Sequence, residues 1–240
     1  MSYEIVIRRA RAEDAVQRAE LIKLGLLSHQ WNAFIYFLFQ ELTLEGAVLA
    51  GAVLFIFCGA SPAACAALLP AAAALVVLAV SLAHHALASS HTQKIHKELF
   101  GLVAEARGPL IMDAPPGRVP IHTSLQVCSQ SSQPVHSKLV GTVSVSEFCG
   151  PRSSGWLHAL AVHPNWHRRG VGRSLVSTAR QLAVDSGLES LEAVSSHLQL
   201  AARTLLHSLG WEIRGTYDRQ LIGTALILPL VRLGLDLPYA

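Results

Sequence analysis

Charged residues are scarce in this chain of 240 residues, and one long stretch has none. Asp, Glu, Lys and Arg together make up 15% of the sequence, hydrophobic residues make up 51%, and residues 46–93 contain no Asp, Glu, Lys or Arg. Since about 20 apolar residues span a bilayer, this stretch predicts a membrane segment and disfavours the buried helical hairpin of a soluble protein. The rest of the chain is normally polar.

Cysteines are few, and their spacing fits neither a zinc site nor a disulfide framework. The four show no CxxC pattern and are Cys58, Cys65, Cys128 and Cys149. We therefore expect no metal. The formal net charge of +3 is modest, and the arginines gather at the N-terminus and near residue 170, with no stripe of aromatic residues between them. This distribution disfavours nucleic-acid binding.

Two helices are predicted within residues 31–90, at about 42–58 and 63–87. Residues 59–62, Gly-Ala-Ser-Pro, indicate a break between them. Aromatic residues cluster before the first helix, as is typical of a membrane interface. Basic residues flank the hairpin on both sides and its tip is uncharged, so the positive-inside rule places both flanks in the cytosol. Re-entrant insertion is the alternative to spanning.

A basic, glycine-containing turn lies in the second half of the chain. An apolar run at 156–162 leads into a proline turn and then into Arg168-Arg169-Gly170-Val171-Gly172-Arg173, followed by an amphipathic helical pattern. Glycine lets the backbone approach a ligand closely, and a helix N-terminus favours anions. The pattern predicts a strand, a loop of phosphate size and a helix, with a pyrophosphate as the ligand. Taken alone, it also fits a solvated basic turn.

The order of the other elements resembles the GCN5-related N-acetyltransferase (GNAT) superfamily. The sequence predicts a strand at 3–8 and a helix to Leu27, then strands at 121–128, 138–146, 156–162, 188–194 and 221–228, with a helix before Gly210. The resemblance implies an α+β fold, with a mixed, mostly antiparallel sheet flanked by helices. Within it, we expect residues 1–30 to open the domain, 31–90 to form the inserted hairpin, 91–120 to connect as a helix (93–106) and linker, and 121–230 to complete the domain.

The inserted hairpin and the run Ser196-His197-Leu198-Gln199-Leu200-Ala201-Ala202 are similar to the membrane-bound N-acetyltransferase 8 (camello-like) family. This closer resemblance implies an endoplasmic-reticulum membrane protein whose acetyltransferase domain faces the cytosol. It implies acceptors that are amines, either small molecules such as amino acids and cysteine S-conjugates, or protein lysines. Oligomeric state stays open.

The superfamily resemblance implies acetyl-CoA as co-substrate and assigns the site residues. The main chain of Leu160 and Val162 would contact pantetheine. The residues expected to hold the rest of the cofactor are His167, Arg168, Arg169, Gly170, Val171, Gly172, Arg173, Ser174, Gln199 and Ala202. We expect His158 to act as general base, since imidazole titrates nearest to neutral pH, although a hydrogen-bonded structural histidine is the simpler interpretation of that position.

One position departs from the pattern. Relatives place a tyrosine, the proton donor to the leaving thiolate, where this chain has Leu206. The leading hypothesis is a membrane-anchored N-acetyltransferase in which the amine attacks the thioester directly. The alternatives are a catalytically weak acyl-CoA-binding membrane protein and a purely structural hairpin protein.

Overall fold

A single mixed sheet forms the centre of the structure, a computed structural model that describes residues 4–94, 98–108, 119–124, 136–149, 153–222 and 226–238. Its strands are β1 (Glu4–Arg9), β2 (Phe100–Gly108), β3 (Ile121–Thr123), β4 (His136–Cys149), β5 (Ser153–Val162), β6 (Ser190–Ser196), β7 (Glu212–Ile222) and β8 (Leu226–Asp236). Within the described residues the order is β3-β1-β2-β4-β5-β6-β8-β7. Only the pairs β1–β3 and β5–β6 are parallel there, as in the mostly antiparallel sheet that the sequence predicted.

Helices lie on both faces of this sheet, and others extend away from it. They are α1 (Ala15–Leu27), α2 (Gln30–Leu38), α3 (Glu41–Cys58), α4 (Pro62–Ala66), α5 (Leu68–Lys94), α6 (Val171–Asp185) and α7 (Leu200–Ser208). The elements of an α+β fold are therefore present, with the sheet between α1 on one face and α6 on the other.

Helix α6 covers the face of the sheet that carries the main hydrophobic core. Val171, Leu175, Ala179 and Leu182 recur at helical spacing and are all buried, because they form one apolar stripe. They pack with inward-facing residues of the central strands, such as Val145. This packing fixes the start of α6 against the end of β5.

The opposite face, which we call the α1 face, holds a buried polar network. Arg18 of α1 is 2% exposed and donates hydrogen bonds to Thr142 Oγ1 at 3.0 Å and Ser144 Oγ at 2.8 Å. It also forms an ion pair with Glu98, with Nη2 2.6 Å from Oε2. Gly101 leaves room for this guanidinium, since a Cβ there would lie 2.5 Å from Arg18 Nη2. A buried charge needs such complete pairing.

The predicted hairpin region is helical, with its break where the sequence placed it. Gly59 ends α3 in the left-handed conformation at φ 62°, and Ser61 caps α4 by accepting a hydrogen bond from the Ala64 amide at 3.3 Å. Together α4 and α5 form the apolar stretch Pro62–Leu87. Its mean hydropathy is 2.5, and only 6% of its most apolar 18 residues are buried. By length and composition, one helix in the described residues can cross a membrane, or two if the bent pair Ala12–Leu38 and Thr43–Cys58 is one span.

The base of the hairpin packs on the rest of the protein. Ala33 and Phe37 of α2 are buried against Val80 of α5, with Leu198 and Leu228 packed beside them. Leu198 follows β6 and Leu228 belongs to β8, so the hairpin helices stand next to the end of the sheet where β6 finishes.

Three expectations from the sequence are corrected. The helix predicted at 93–106 is wrong beyond α5, because Phe100–Gly108 forms β2 between β1 and β4; both of its faces are buried, so it lacks the alternation that marks a half-exposed strand. The strand predicted at 121–128 is observed only as β3, and residues 125–128 lie outside the described residues. The single strand predicted at 221–228 is instead the end of β7 and the start of β8, which pair antiparallel, and residues 223–225 lie outside the described residues.

Candidate functional site

Strands β5 and β6 separate part-way along their length. They pair in parallel only from Ser154 opposite Ser190 to Leu157 opposite Ala193, although both continue beyond. The register with β4 shifts at the same place, where Ala159 has φ 53°. A bulge of this kind bends a strand away from its neighbour. The main chain of residues 158–162 therefore borders a gap in the sheet.

The gap ends at a turn whose geometry is set by local contacts. Pro164–Trp166 form a 3-10 turn, and the Trp166 side chain is 2% exposed. His167 Nε2 lies 2.8 Å from the Val162 carbonyl oxygen. Because a carbonyl only accepts, Nε2 carries the proton. The imidazole of His167 thus ties the turn to the end of β5, and it occupies the carbonyl of Val162, one of the two residues whose main chain is expected to contact pantetheine.

The glycines in the turn meet specific steric requirements. Gly170, the residue before α6, has φ 86°, in the left-handed region that favours glycine. A Cβ on Gly172 would lie 3.2 Å from Leu205 Cδ2 of α7, tighter than ordinary contact. Glycine there lets α7 pack against the start of α6. Arg168 also has a positive φ of 59°, which is uncommon outside glycine.

The start of α6 presents main-chain donors. Gly170 O accepts from Ser174 N at 3.0 Å, the first bond of the helix, so the amides of Val171, Gly172 and Arg173 have no intrahelical acceptor. Arginine side chains surround them. The Arg169 guanidinium lies 5.7 Å from the centre of the Trp166 ring, and Arg173 Nη2 donates to Ser208 Oγ of α7 at 3.0 Å. The arrangement suits an anion at the mouth of the gap.

His158 stands where β5 leaves β6, with its side chain on the α1 face. It is 8% exposed, and its Nε2 lies 2.7 Å from Ser146 Oγ on β4. The same strand supplies Thr142 and Ser144 to Arg18. Sequence reasoning did not identify Ser146 or Arg18. The signal that was available is the Thr-x-Ser-x-Ser alternation at 142–146, which puts three hydroxyls on one face of a strand.

The α1 face of the gap has an apolar cover beside these polar groups. Ile22 of α1 is buried against Ala161, and Leu26 and Ala159 pack next to them. The bulged end of β5 is thus covered by α1. The His158–Ser146 pair lies next to this cover, on the side toward the start of β5.

The remaining predicted residues lie on or beside α7. Gln199 Oε1 accepts hydrogen bonds from Ser196 N at 3.3 Å and Ser195 Oγ at 3.2 Å, so its carbonyl oxygen secures the end of β6. Ala202 is half-buried on α7. Leu206, at the position where the resemblance expects tyrosine, is 3% exposed and belongs to the main core. Contacts of α7 with Gly172 and Arg173 bring this helix to the turn.

Two other features bear on where a ligand binds. A cavity of about 480 Å³, lined by Ser153, Ser154 and Glu147 among others, lies at the start of β5, the end opposite to the turn. Among the residues that the structure describes, no three His, Cys, Asp or Glu side chains are grouped to hold a metal ion.

Comparison with protein families adds a direct finding. Residues 131–211 match the model of the acetyltransferase (GNAT) family. The matched range covers β4, the separating strands β5 and β6, the basic turn, α6 and α7. The match supports a GNAT-superfamily acetyltransferase. The enzyme is therefore an acetyl-CoA-dependent acetyltransferase, as the sequence predicted.

Solved structures similar to this acetyltransferase include several from bacteria. A GNAT-family protein from Desulfovibrio desulfuricans is 11% identical, with 97% of this chain and 98% of that chain covered and a TM-score of 0.48. YncA from Salmonella typhimurium, solved with acetyl-CoA, is 18% identical over 65% and 75%, with a TM-score of 0.42. The ribosomal-protein-S18-alanine N-acetyltransferase from Escherichia coli is 20% identical over 47% and 67%, with a TM-score of 0.37. No curated protein matches significantly.

Proposed function

We propose that the chain is a membrane-anchored N-acetyltransferase that transfers the acetyl group of acetyl-CoA to an amine. The observation that carries the proposal is the gap between β5 and β6, which opens onto the free amides at the start of α6. An extended, anion-ended ligand fits such a site. Its pyrophosphate would bind at the Gly170–Gly172 turn, and its thioester arm would lie along residues 158–162.

The turn would bind the pyrophosphate chiefly through the main chain. The amides of Val171, Gly172 and Arg173 would donate to phosphate oxygens. Arg168 and Arg169 would add positive charge. Because these side chains lie near the surface, salt screens their attraction to the phosphates. The main-chain donors therefore set the position of the phosphates.

The chemistry requires no enzyme nucleophile. The nitrogen of the neutral amine attacks the thioester carbonyl carbon, the carbon–sulfur bond breaks, and the CoA thiolate leaves and takes up a proton. We assign His158, hydrogen-bonded to Ser146, as acceptor of the proton that the amine loses. Main-chain amides at the bulged end of β5 would stabilise the oxyanion that forms on the carbonyl oxygen. The apolar cover from Ile22 and Leu26 would keep water from the thioester.

The helices α3 to α5 are proposed to anchor the enzyme in a membrane. Many of their large apolar side chains face outward, including Phe57 at 81% and Leu75 at 68% exposed. Since surfaces of soluble monomers rarely expose so large an apolar patch, a lipid environment is the natural cover. The basic flanks favour a cytosolic catalytic domain. The resemblance to the camello-like family suggests that this membrane is the endoplasmic reticulum and that the chain is related to that family.

A second function is favoured by one observation. Leu206 cannot donate a proton and lies in the core, so the tyrosine-dependent protonation of the leaving thiolate is missing at this position. A protein that binds acyl-CoA at the membrane with little turnover would keep the turn and the gap but lose this step.

The test uses the full chain in detergent. Acetyl-CoA consumption and acetylated product are measured with amino acids, cysteine S-conjugates and lysine peptides, while CoA binding is measured separately by calorimetry. CoA binding with acetylation of an amine supports the enzyme, and binding without acetylation of any amine supports the acyl-CoA-binding protein. If CoA does not bind, the proposal is wrong.

A further inference from the structure

Arg232 extends from β8 across the α1 face toward the strands that separate. Its Nε donates to Glu192 Oε2 of β6 at 2.9 Å, and its Cζ lies 5.0 Å from the centre of the Phe148 ring, which belongs to β4. In the sheet, β6 and β5 stand between β8 and β4. With neighbouring strands about 4.8 Å apart, the guanidinium must lie over the β5–β6 pair.

A short chain of contacts leads from this guanidinium to His158. The Phe148 ring stacks on Trp156, with 5.3 Å between their centres. Trp156 is the cross-strand partner of Ser146, and Ser146 Oγ lies 2.7 Å from His158 Nε2. All of these side chains lie on the α1 face, because they occupy alternate positions in register. Arg232 is therefore connected to the proposed proton acceptor through one row of side chains on the α1 face.

The Arg232 guanidinium is held in place by Glu192, but part of its hydrogen-bonding capacity remains available. Glu192 is 2% exposed and also accepts from Arg214 Nη1 at 2.7 Å, and Arg214 donates in addition to Asp236 at 2.6 Å. Arg232, in contrast, donates to Glu192 only through Nε, and its two Nη nitrogens make no hydrogen bond to any residue that the structure describes. Its side chain is 40% exposed. An arginine oriented by a buried carboxylate and stacked on a ring is suited to bind a carboxylate.

We propose that Arg232 binds a carboxylate of the acetyl acceptor, with Phe148 and Trp156 contacting the apolar part of the same molecule. The acceptor is then an amine that carries a carboxylate close by, as amino acids do, and not a plain alkylamine or an internal lysine of a peptide. This inference rests on the proposed function, since it concerns the acceptor of that reaction. It assigns the specificity for the acceptor to the α1 face.

The experiment compares acceptors that differ only in the carboxylate. The full-length protein in detergent is assayed with two acid and amide pairs, L-phenylalanine with its amide and L-alanine with its amide, and with 2-phenylethylamine. For each acceptor, kcat/KM of the wild type is divided by that of Arg232→Met, so that differences in amine basicity cancel. We expect Arg232→Met to lower kcat/KM about 10- to 100-fold for the acids and to change it less than about 3-fold for the amides and 2-phenylethylamine, the neutral amines that lack a carboxylate.

Two further variants keep the result interpretable. Arg214→Met removes the other arginine from Glu192 and is expected to lower kcat/KM by the same factor for every acceptor, without changing the preference for acids. Arg232→Lys retains the charge but not the planar fork, so its loss of kcat/KM for the acids is expected to lie between those of the wild type and Arg232→Met. It also replaces Arg232→Met as the test variant if Arg232→Met does not fold. Equal losses for acids and neutral amines, or a wild type that acetylates only the neutral amines, would overturn the inference. A wild type that acetylates none of these acceptors but does acetylate a lysine peptide would also overturn the inference, whereas a wild type that acetylates no amine at all would refute the proposed function itself.

Discussion

Replacing Gly170 by a matched pair of residues, Asp and Asn, tests whether a pyrophosphate binds at the turn before α6. The two side chains are nearly the same size and differ by one negative charge. Both adopt left-handed backbone more readily than most residues, which the φ of 86° at Gly170 demands. A Cβ there would be 3.7 Å from Ile121 Cδ1, an ordinary contact. Both variants should therefore keep the fold, at a similar cost of about 1 kcal/mol.

The expected difference follows from Coulomb's law. A carboxylate at position 170 would stand about 5 Å from a phosphate held by the first amides of α6. At an effective dielectric constant between about 20 and 80, the repulsion is about 1–3 kcal/mol. We therefore expect Gly170→Asp to raise the Kd for CoA about 5- to 150-fold relative to Gly170→Asn.

Calorimetry with CoA at two salt concentrations measures this difference. It should shrink as ionic strength rises, because the turn is near the surface. Unfolding does not mimic the effect, since a negative charge at a helix N-terminus stabilises the helix and thus the Asp variant. Equal Kd values for the two variants would refute the placement of the pyrophosphate at this turn.

Three further predictions follow from the same structure. His158→Ala should lower kcat about 100-fold or more while leaving the Kd for CoA unchanged; unchanged kcat would show that the imidazole is structural. Leu75→Arg should release the protein from membranes into an alkaline carbonate wash, because a central arginine costs about 2.5–3.5 kcal/mol, whereas Leu75→Ala should not; retention of both variants would contradict a spanning helix. Burial alone would raise the pKa of the Asp14 and Glu105 carboxyls and is the largest single effect on each. Hydrogen bonds from the Arg8 guanidinium, joined by the Arg11 amide at Asp14, by Arg107 at Glu105 and by the attraction of these positive charges, together outweigh burial and hold both pKa values below their ordinary range. The resulting stability is present above the ordinary values near 4 and is lost as pH falls through the lower folded values, so acid unfolding of the wild type should depend on pH more steeply than that of Arg8→Met; identical pH profiles of the unfolding free energy would refute the assignment.

Local patterns in the sequence were sufficient for the elements that fold from their own neighbours. The α6 helix and its turn were predictable because an apolar stripe, two glycines and flanking arginines act within a few residues of one another. The break at Gly59 was predictable for the same reason, since a glycine C-cap and a serine N-cap are short-range signals.

Elements that depend on distant partners were harder to predict. Strand β2 was mistaken for part of a connecting helix, because it is buried on both faces and so shows no alternation. Its place in the sheet is set by pairing with β1 and β4, each far from it in the chain. A single strand was predicted where β7 and β8 lie for a similar reason, since β7 carries no apolar pattern that would mark its pairing with β8.

The sequence by itself determined the helices of the hairpin, the basic turn before α6 and, through resemblance, acetyl-CoA chemistry, because each depends on a short run of residues. Tertiary structure alone decided how the α1 face is built. Arg18 meets Glu98 across 80 positions and Arg232 meets Glu192 across 40, and the sheet brings Ser146 to His158. Contacts of this kind leave no periodic trace in the sequence, because they arise only when strand order and register place distant residues in one row.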